Sequence, residues 1–485
     1  MKAENIKEHL KLSFIYTAAA AFTPILQVLI QPVYEGNNRL NAIDFSHLAI
    51  TELITSLVFA LALYGMGNAI ARFYYDHNPQ SATYRKMVSS VFTSILFRGF
   101  ILGLIAWFFR DAIGSLFKQA VLQDFSTYGT ACVIAGVGRA INITAAALFR
   151  NEKKVISFVL VSMGLGFFRV GFQLIGLFFF DMSFMGYVYG SALGTGLVSL
   201  IILITIVRKN GIHYDRSQMR EINRFARPLM QYSIIVWVLS FADRFIMEGF
   251  PTQLGIYNTA VTFAAGITLV LQGLQGANQP EVFRVMREGI SENQASIRQY
   301  CNILLMQSMF IIFIAILPMM LYLDLFYETA VKQAAGLIPL IMMRGILRTQ
   351  FIVFSYPAYF LKKTRIFLYL NVMAVIINLA LNYLLIPVYF FYGAIAAGLI
   401  ADLVMALGIY IYQKRIVDIY WNNLKTMVYP LATIAFTIII EVFRIKLDWS
   451  YFISGTIVVF AAVGAMGILY KHELLTFIRR RWKPS

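Results

Sequence analysis

Charge is scarce in this chain of 485 residues: 13% are Asp, Glu, Lys or Arg, while 59% are hydrophobic. Water-soluble domains carry about 25% charged residues, so an ordinary soluble domain is excluded and solvation by lipid is expected. Long polar intervals are also missing. The two longest, Arg208 to Ala226 and Pro280 to Gln299, each match one surface helix and are too short to bury a core, which excludes an enzyme with an appended soluble head. Cysteine is nearly absent: Cys132 and Cys301 form no disulfide framework and no metal-ligand spacing, and read as packing residues. No histidine falls in the middle of an apolar run. His9, His47, His77, His213 and His472 lie in tails, connections or run ends, which disfavours zinc catalysis and an imidazole proton relay. No GxxxxGK[ST] phosphate loop occurs, so ATP hydrolysis by that route is excluded. No cofactor, resident metal or enzymatic activity is expected.

What the chain does have is apolar runs of membrane-crossing length, about 20 residues or more. Bounded by charge, Pro and Gly, they predict spans at 12–32, 46–72, 87–109, 123–149, 155–180, 184–207, 227–248, 254–279, 300–322, 333–360, 366–386, 392–412, 426–444 and 451–470. The runs are too long and too weakly alternating for barrel strands, so an all-α polytopic membrane protein of about 14 transmembrane helices is expected. The first run continues to Val33, which favours a retained span over a cleaved signal. An even number of spans puts both termini on one side. Of the 41 Lys and Arg, twenty-nine fall on the terminal side and six on the other, so both termini are expected to be cytoplasmic. The net charge of +17 then sits against an anionic inner leaflet, and nucleic acid is not an expected partner.

The chain repeats itself at a period near 208. Leu63-Tyr-Gly65-Met66 matches Leu271-Gln-Gly273-Leu274, and the basic turn after Phe149 (Lys153, Lys154) matches that after Phe360 (Lys362, Lys363). Gly186, Gly190 and Gly194 match Gly393, Ala397 and Ala401. Six spans per repeat predict two parallel six-helix lobes related by an axis along the membrane normal, enclosing a central cavity as alternating-access transporters do. The expected organisation is an N-lobe at 1–207, a cytoplasmic linker at 208–226, a C-lobe at 227–412, and two extra helices with a basic tail at 413–485. The last two helices either extend a lipid groove or brace the lobes. The small-residue runs in spans 6 and 12 read as packing seams.

Six arginines lie at membrane depth: Arg98, Arg139, Arg169, Arg244, Arg344 and Arg348. Such residues are costly and call for a partner, water or a purpose. The acids counted beside them are Asp243 and Asp402, so the interior reads as net positive and suited to an anion. Arg344 and Arg348 share a helix face, and Arg139 maps onto Arg348 at an offset of 209. Guanidinium forks suit diphosphate oxygens. Arg139, Arg344 and Arg348 are the leading anion-binding candidates, with Arg98 and Arg169 behind them. Arg244 reads equally as the partner of Asp243 or Glu248. Two amide stripes, Gln272, Gln275 and Gln279 on span 8 and Asn371, Asn378 and Asn382 on span 11, face either the cavity, where they suit sugars, or another helix. Asp243 and Asp402 serve either ion coupling or charge compensation. The sequon at Asn142 lies inside span 4, out of reach of glycosylation.

Pro24, Asp44-Phe-Ser-His-Leu-Ala-Ile50, Leu63-Tyr-Gly-Met66 and Arg72-Phe-Tyr-Tyr-Asp76 carry a resemblance across most of the chain. So do Leu148-Phe-Arg-Asn-Glu-Lys-Lys154, Arg227-Pro228, Ala242-Asp-Arg244 and Leu254-Gly-Ile-Tyr257. Together they resemble the polysaccharide-transport branch of the multidrug/oligosaccharidyl-lipid/polysaccharide exporter superfamily. The resemblance implies a bacterial inner-membrane flippase for polyprenyl-diphosphate oligosaccharides of the O-antigen, capsule or exopolysaccharide type. It also implies a cationic cavity, ion-coupled flipping, membrane lipid as a partner and a link to glycan polymerase machinery. Three alternatives stay open: a lipid-II-type peptidoglycan precursor flippase, a multidrug or cation antiporter, and a scaffold for a polymerase. Span 1 has neither the arginines that resemblance to the first would imply nor the acid often found in the second, although Asp243 in span 7 leaves the antiporter open.

Overall fold

The computed structural model describes residues 3–36, 39–76, 78, 80–180, 183–417, 419–471 and 473, with backbone alone for 3–14. His77, His472 and the basic tail beyond Glu473 lie outside the described residues. Those described form helices without a sheet, apart from one bridge between Glu35 and Leu40. Thirteen helices among them are long and apolar enough to cross a bilayer. One of these, Arg365–Ile416, is two spans. Its backbone reverses at Phe390 (φ 49°, ψ −125°), and a Cβ on Gly393 would fall 2.5 Å from the Leu385 carbonyl oxygen. In an unbroken helix those residues would stand about 12 Å apart along the axis. The described residues thus form the expected fourteen spans, numbered accordingly below.

Local chemistry sets the helix ends. Span 2 starts at a capping box: Asn41 Oδ1 accepts from the Ile43 and Asp44 amides, and Asp44 Oδ2 accepts from the Asn41 amide. Span 2 is not continuous over 46–72. It ends at Leu63, Tyr64 (φ 50°) and Gly65 (φ 77°) turn left-handed, and Met66–Phe73 resumes. Span 7 requires that glycine, because a side chain there would meet the Ala226 carbonyl at 3.0 Å. Asp215 caps the next long helix through Ser217 and Gln218, so most of 208–226 belongs to span 7, which runs over Arg216–Met247.

The repeat is written into the backbone at the two basic turns. Span 4 (Phe125–Asn151) and span 10 (ending Ile338–Phe360) both close with a lysine at φ 56°, Lys153 and Lys362. The Lys154 amide donates to the Phe149 carbonyl at 2.9 Å, and the Lys363 amide to the Ala358 carbonyl at 2.8 Å. The pairs Lys153 to Arg150 and Lys362 to Tyr359 follow at 3.2 and 3.1 Å. Every partner is displaced by 209, which makes these two copies of one left-handed helix stop.

Two compact units comprise 1–255 and 256–485. In the first, the glycine seam of span 6 (Ser183–Asn210) lies directly on span 5 (Val155–Phe178). Added Cβ atoms would fall 2.4 Å from the Gly176 oxygen at Gly186, 2.5 Å from Gln173 Cα at Gly190 and 2.5 Å from Arg169 Cα at Gly194. The seam is a packing surface, as read from the spacing. Span 7 packs in this unit, with Trp237 Nε1 donating to the Leu53 carbonyl at 3.1 Å and to Ser56 Oγ at 3.0 Å. The boundary of compactness therefore falls after span 7, whereas the sequence repeat leads one to expect a division before it.

In the second unit, spans 13 (ending Tyr429–Leu447) and 14 (Tyr451–Leu469) lie against spans 9 and 10. Lys425 Nζ reaches both Glu473 oxygens at 2.7 Å, with Asn302 of span 9 at 3.3 Å from one of them. Near the far end of span 13, Glu441 binds Arg444 at 2.6 Å and accepts from Tyr392 of span 12 at 2.9 Å. Cys132 and Cys301 are fully buried packing residues.

Candidate functional site

Span 4 presents Arg139, Asn142, Ile143, Ala146 and Arg150 at helical spacing, and all five line a cavity of about 480 Å³ in the first unit. Spans 1, 2 and 5 supply the other walls, including Thr23, Gln27, Glu52 and Arg169. Arg139 places Nη1 2.8 Å from Glu52 Oε1 and its guanidinium 4.9 Å from the Phe59 ring centre. Arg169 sends Nη2 to 3.8 Å from the other Glu52 oxygen, Oε2. Behind Arg169 runs a buried polar chain: Arg169 Nε donates to Ser191 Oγ at 3.4 Å, as does Gln173 Nε2 at 2.5 Å. Gln173 in turn accepts from Tyr34 at 3.0 Å. Gly194 lets span 6 come close enough to fix this assembly.

The second unit holds a parallel arrangement. Arg344 Nε lies 2.8 Å and Arg348 Nε 3.5 Å from the same Asp402 oxygen, Oδ2. Gly398 makes room for Arg344, whose Cζ would be 2.6 Å from a Cβ there. Each unit thus sets two arginines on one carboxylate, in a setting where a charge needs a partner.

The remaining sequence candidates fall elsewhere. Arg98 Nε donates to the Ala62 carbonyl at 3.2 Å and its guanidinium covers the Tyr64 ring at 4.8 Å, so it caps the broken end of span 2. Arg244 stacks on Phe241 at 4.5 Å, and its amide donates to Asp243 at 2.7 Å. Glu248 accepts from the Lys118 and Gln119 amides, which spends its carboxylate on the connection between spans 3 and 4. Asn382 donates to Asn378 at 2.9 Å and Asn371 to the Phe367 carbonyl at 2.6 Å, so the buried amides of span 11 bond along their own helix. On span 8, Gln272 is exposed and Gln275 half-buried. Asn142 bonds Gly138 and Ser199 inside the bundle.

The sequence reading missed Glu52. It lies within span 2, and a tally of every acid inside the predicted spans finds it, which corrects the count of anions at depth. Its partnership with Arg139, 87 positions away, has no sequence signal.

A family model described as polysaccharide biosynthesis protein matches residues 40–337. Among solved structures the chain is similar to a lipid II flippase, MurJ, in an inward closed conformation. The TM-score is 0.69 and the identity 13%, over 95% of this chain and 100% of that one. It is also similar to an inward-facing multidrug resistance transporter of the MATE family (TM-score 0.61, 14% identity, 83% of this chain and 93% of that one). A transporter of the same superfamily from Pyrococcus furiosus, described as having a binding pocket of reversed polarity, gives TM-score 0.53 and 14% identity over 84% of this chain and 95% of that one. Identities this low speak for the fold. Among curated proteins none matches.

Proposed function

Because this chain belongs to the polysaccharide biosynthesis protein family, we propose that it is the flippase of such a machinery. It moves polyprenyl-diphosphate-linked oligosaccharide repeat units from the cytoplasmic to the outer leaflet of a bacterial inner membrane, for O-antigen, capsule or exopolysaccharide synthesis. The observation that carries this reading is the pair Arg139 and Arg169 on the wall of a cavity among membrane-spanning helices. A multi-pass membrane protein has little reason to hold surplus guanidinium there other than an anionic cargo.

In this reading Arg139 with Arg169 in the first unit, and Arg344 with Arg348 in the second, each suit a diphosphate through paired N–H donors. Gln272 and Gln275 offer amides to sugar hydroxyls, while Asn378 is spent on Asn382. The prenyl tail stays in lipid, and the two repeats rock to expose the cargo on alternate sides. The contacts of Asp402 favour charge compensation over ion coupling; Asp243 is the coupling candidate that remains. The termini face the cytoplasm on the strength of the basic connections, and the polymerase machinery receives the flipped unit.

Deleting the gene in its host tests this. The expected result is loss of the surface polysaccharide with build-up of complete polyprenyl-diphosphate repeat units in the inner membrane, restored by the wild-type chain and not by an Arg139→Ala/Arg348→Ala double variant that inserts normally. The whole-length likeness to a lipid II flippase keeps a second reading, in which the lipid-linked precursor that builds up is that of peptidoglycan. An unchanged membrane pool overturns both.

A further inference from the structure

Glu52 has no counterpart in the repeat, since an offset of 208 leads to Ala260, and Asp402 likewise maps back to Gly194. The arginines they hold, Arg139 and Arg348, do correspond. Each half therefore supplies its own carboxylate, from a different helix, to an arginine that the repeat places in common. The two arrangements also differ in which arginine holds the acid. In the first unit the more exposed arginine is the tighter partner: Arg139, 39% exposed, stands 2.8 Å from Glu52, and Arg169, 19% exposed, 3.8 Å. In the second the order is reversed: Arg344, 14% exposed, stands 2.8 Å from Asp402, and Arg348, 47% exposed, 3.5 Å.

Resting on the diphosphate reading above, we propose that Glu52 is a built-in stand-in for the substrate phosphate, which it releases Arg139 to bind by passing from Arg139 to Arg169. A guanidinium at this depth needs a counter-anion at every stage, and Glu52 provides it until a phosphate oxygen takes over. Arg169 is fixed by Ser191 and by the close approach of Gly194, so it receives the carboxylate without following the cargo. The transfer is short, because Glu52 already points its second oxygen at Arg169. Afterwards the first unit has the order of distances that the second already shows, with the acid nearer the sheltered arginine. No step leaves either arginine or the carboxylate unpaired. Arg169 is thus a positioning residue, acting on the substrate through Glu52.

The test is equilibrium binding of radiolabelled farnesyl diphosphate, a prenyl diphosphate without sugar, to the full-length protein in lipid nanodiscs. Glu52→Gln removes the competing anion and is expected to bind about tenfold tighter than wild type. Arg169→Gln strands Glu52 on Arg139 and is expected to bind about tenfold more weakly. The double variant Arg169→Gln/Glu52→Gln should return to within about threefold of wild type, a rescue that a merely structural Arg169 does not allow. Glu52→Asp, which keeps the charge and shortens its reach, should tighten binding to a smaller extent and serves if Glu52→Gln fails to insert. Weaker or unchanged binding by the Glu52 variants, or no rescue in the double variant, overturns the inference and leaves the diphosphate reading standing. Absence of binding by the wild type overturns both.

Discussion

Arg139 and Arg348 occupy the same place in their helices, each fourteen residues before a lysine held at φ 56°. At 1.5 Å per residue both guanidinium-bearing positions stand about 21 Å from the basic turn that ends their helix, well inside a hydrocarbon layer of about 30 Å. On the proposed diphosphate reading, arginine is needed there for its planar fork. Lysine keeps the charge as a compact, strongly hydrated point and loses the paired donors. Arg139→Lys and Arg348→Lys are each expected to lower transport more than about tenfold at normal membrane levels, measured as surface polysaccharide restored to a deletion strain against immunoblots of the chain.

The two basic turns carry a cost. Lysine in the left-handed region is strained by roughly 1 kcal/mol relative to glycine, and both copies accept it. Lys153→Gly and Lys362→Gly should each raise the unfolding temperature in detergent, with additive effects, since the turns lie in different units. A fall in either melting temperature would assign the lysine side chain a tie that outweighs its backbone strain.

The seam between spans 5 and 6 leaves no room for a methyl group. Gly190→Ala places a Cβ 2.4 Å from the Phe172 oxygen and 2.5 Å from Gln173 Cα, so the helices must part. The expected loss is about 1–3 kcal/mol, seen as a lower melting temperature. Gly194→Ala pushes instead on Arg169 Cα, and its transport should fall further than its stability.

At the turn between spans 4 and 5, burial by itself would push the Glu152 carboxyl up, but bonds from Lys154, Lys209 and Tyr84 outweigh it and hold the group below its usual range. The group's native affinity for protons is lowered, so its contribution is complete above the unfolded value of about 4.3. That contribution disappears as pH drops through the native value. Melting temperatures of the wild type should therefore fall below about pH 4. Glu152→Gln should begin about 1 kcal/mol less stable at neutral pH and lose less on acidification.

The spans were legible because lipid solvation demands continuous apolar runs, and the repeat because glycine seams and basic turns leave fixed residue types at fixed offsets. Less legible were interruptions made by neighbours. Tyr64 and Gly65 break span 2 where span 7 crosses it, and a glycine in an apolar run looks the same whether it bends the chain or admits another helix. The hairpin at Phe390 is legible because Pro387 and Gly393 bound the two apolar runs on either side of it. Among the candidate residues, Arg139, Arg169, Arg344 and Arg348 stand out by the cost of charge within membrane-crossing runs. Their pairing did not, since Glu52 and Asp402 reach them from other helices and no spacing rule links such positions.

A bar pinned at one end can swing, and a bar pinned at both ends cannot. Span 13 is fastened near its start by Lys425 on Glu473 and near its end by Glu441 with Arg444 and Tyr392. Whatever travel the C-terminal unit makes, span 13 is tied into it at both ends, through Gln350 on the Thr426 carbonyl and through Tyr392 on Glu441.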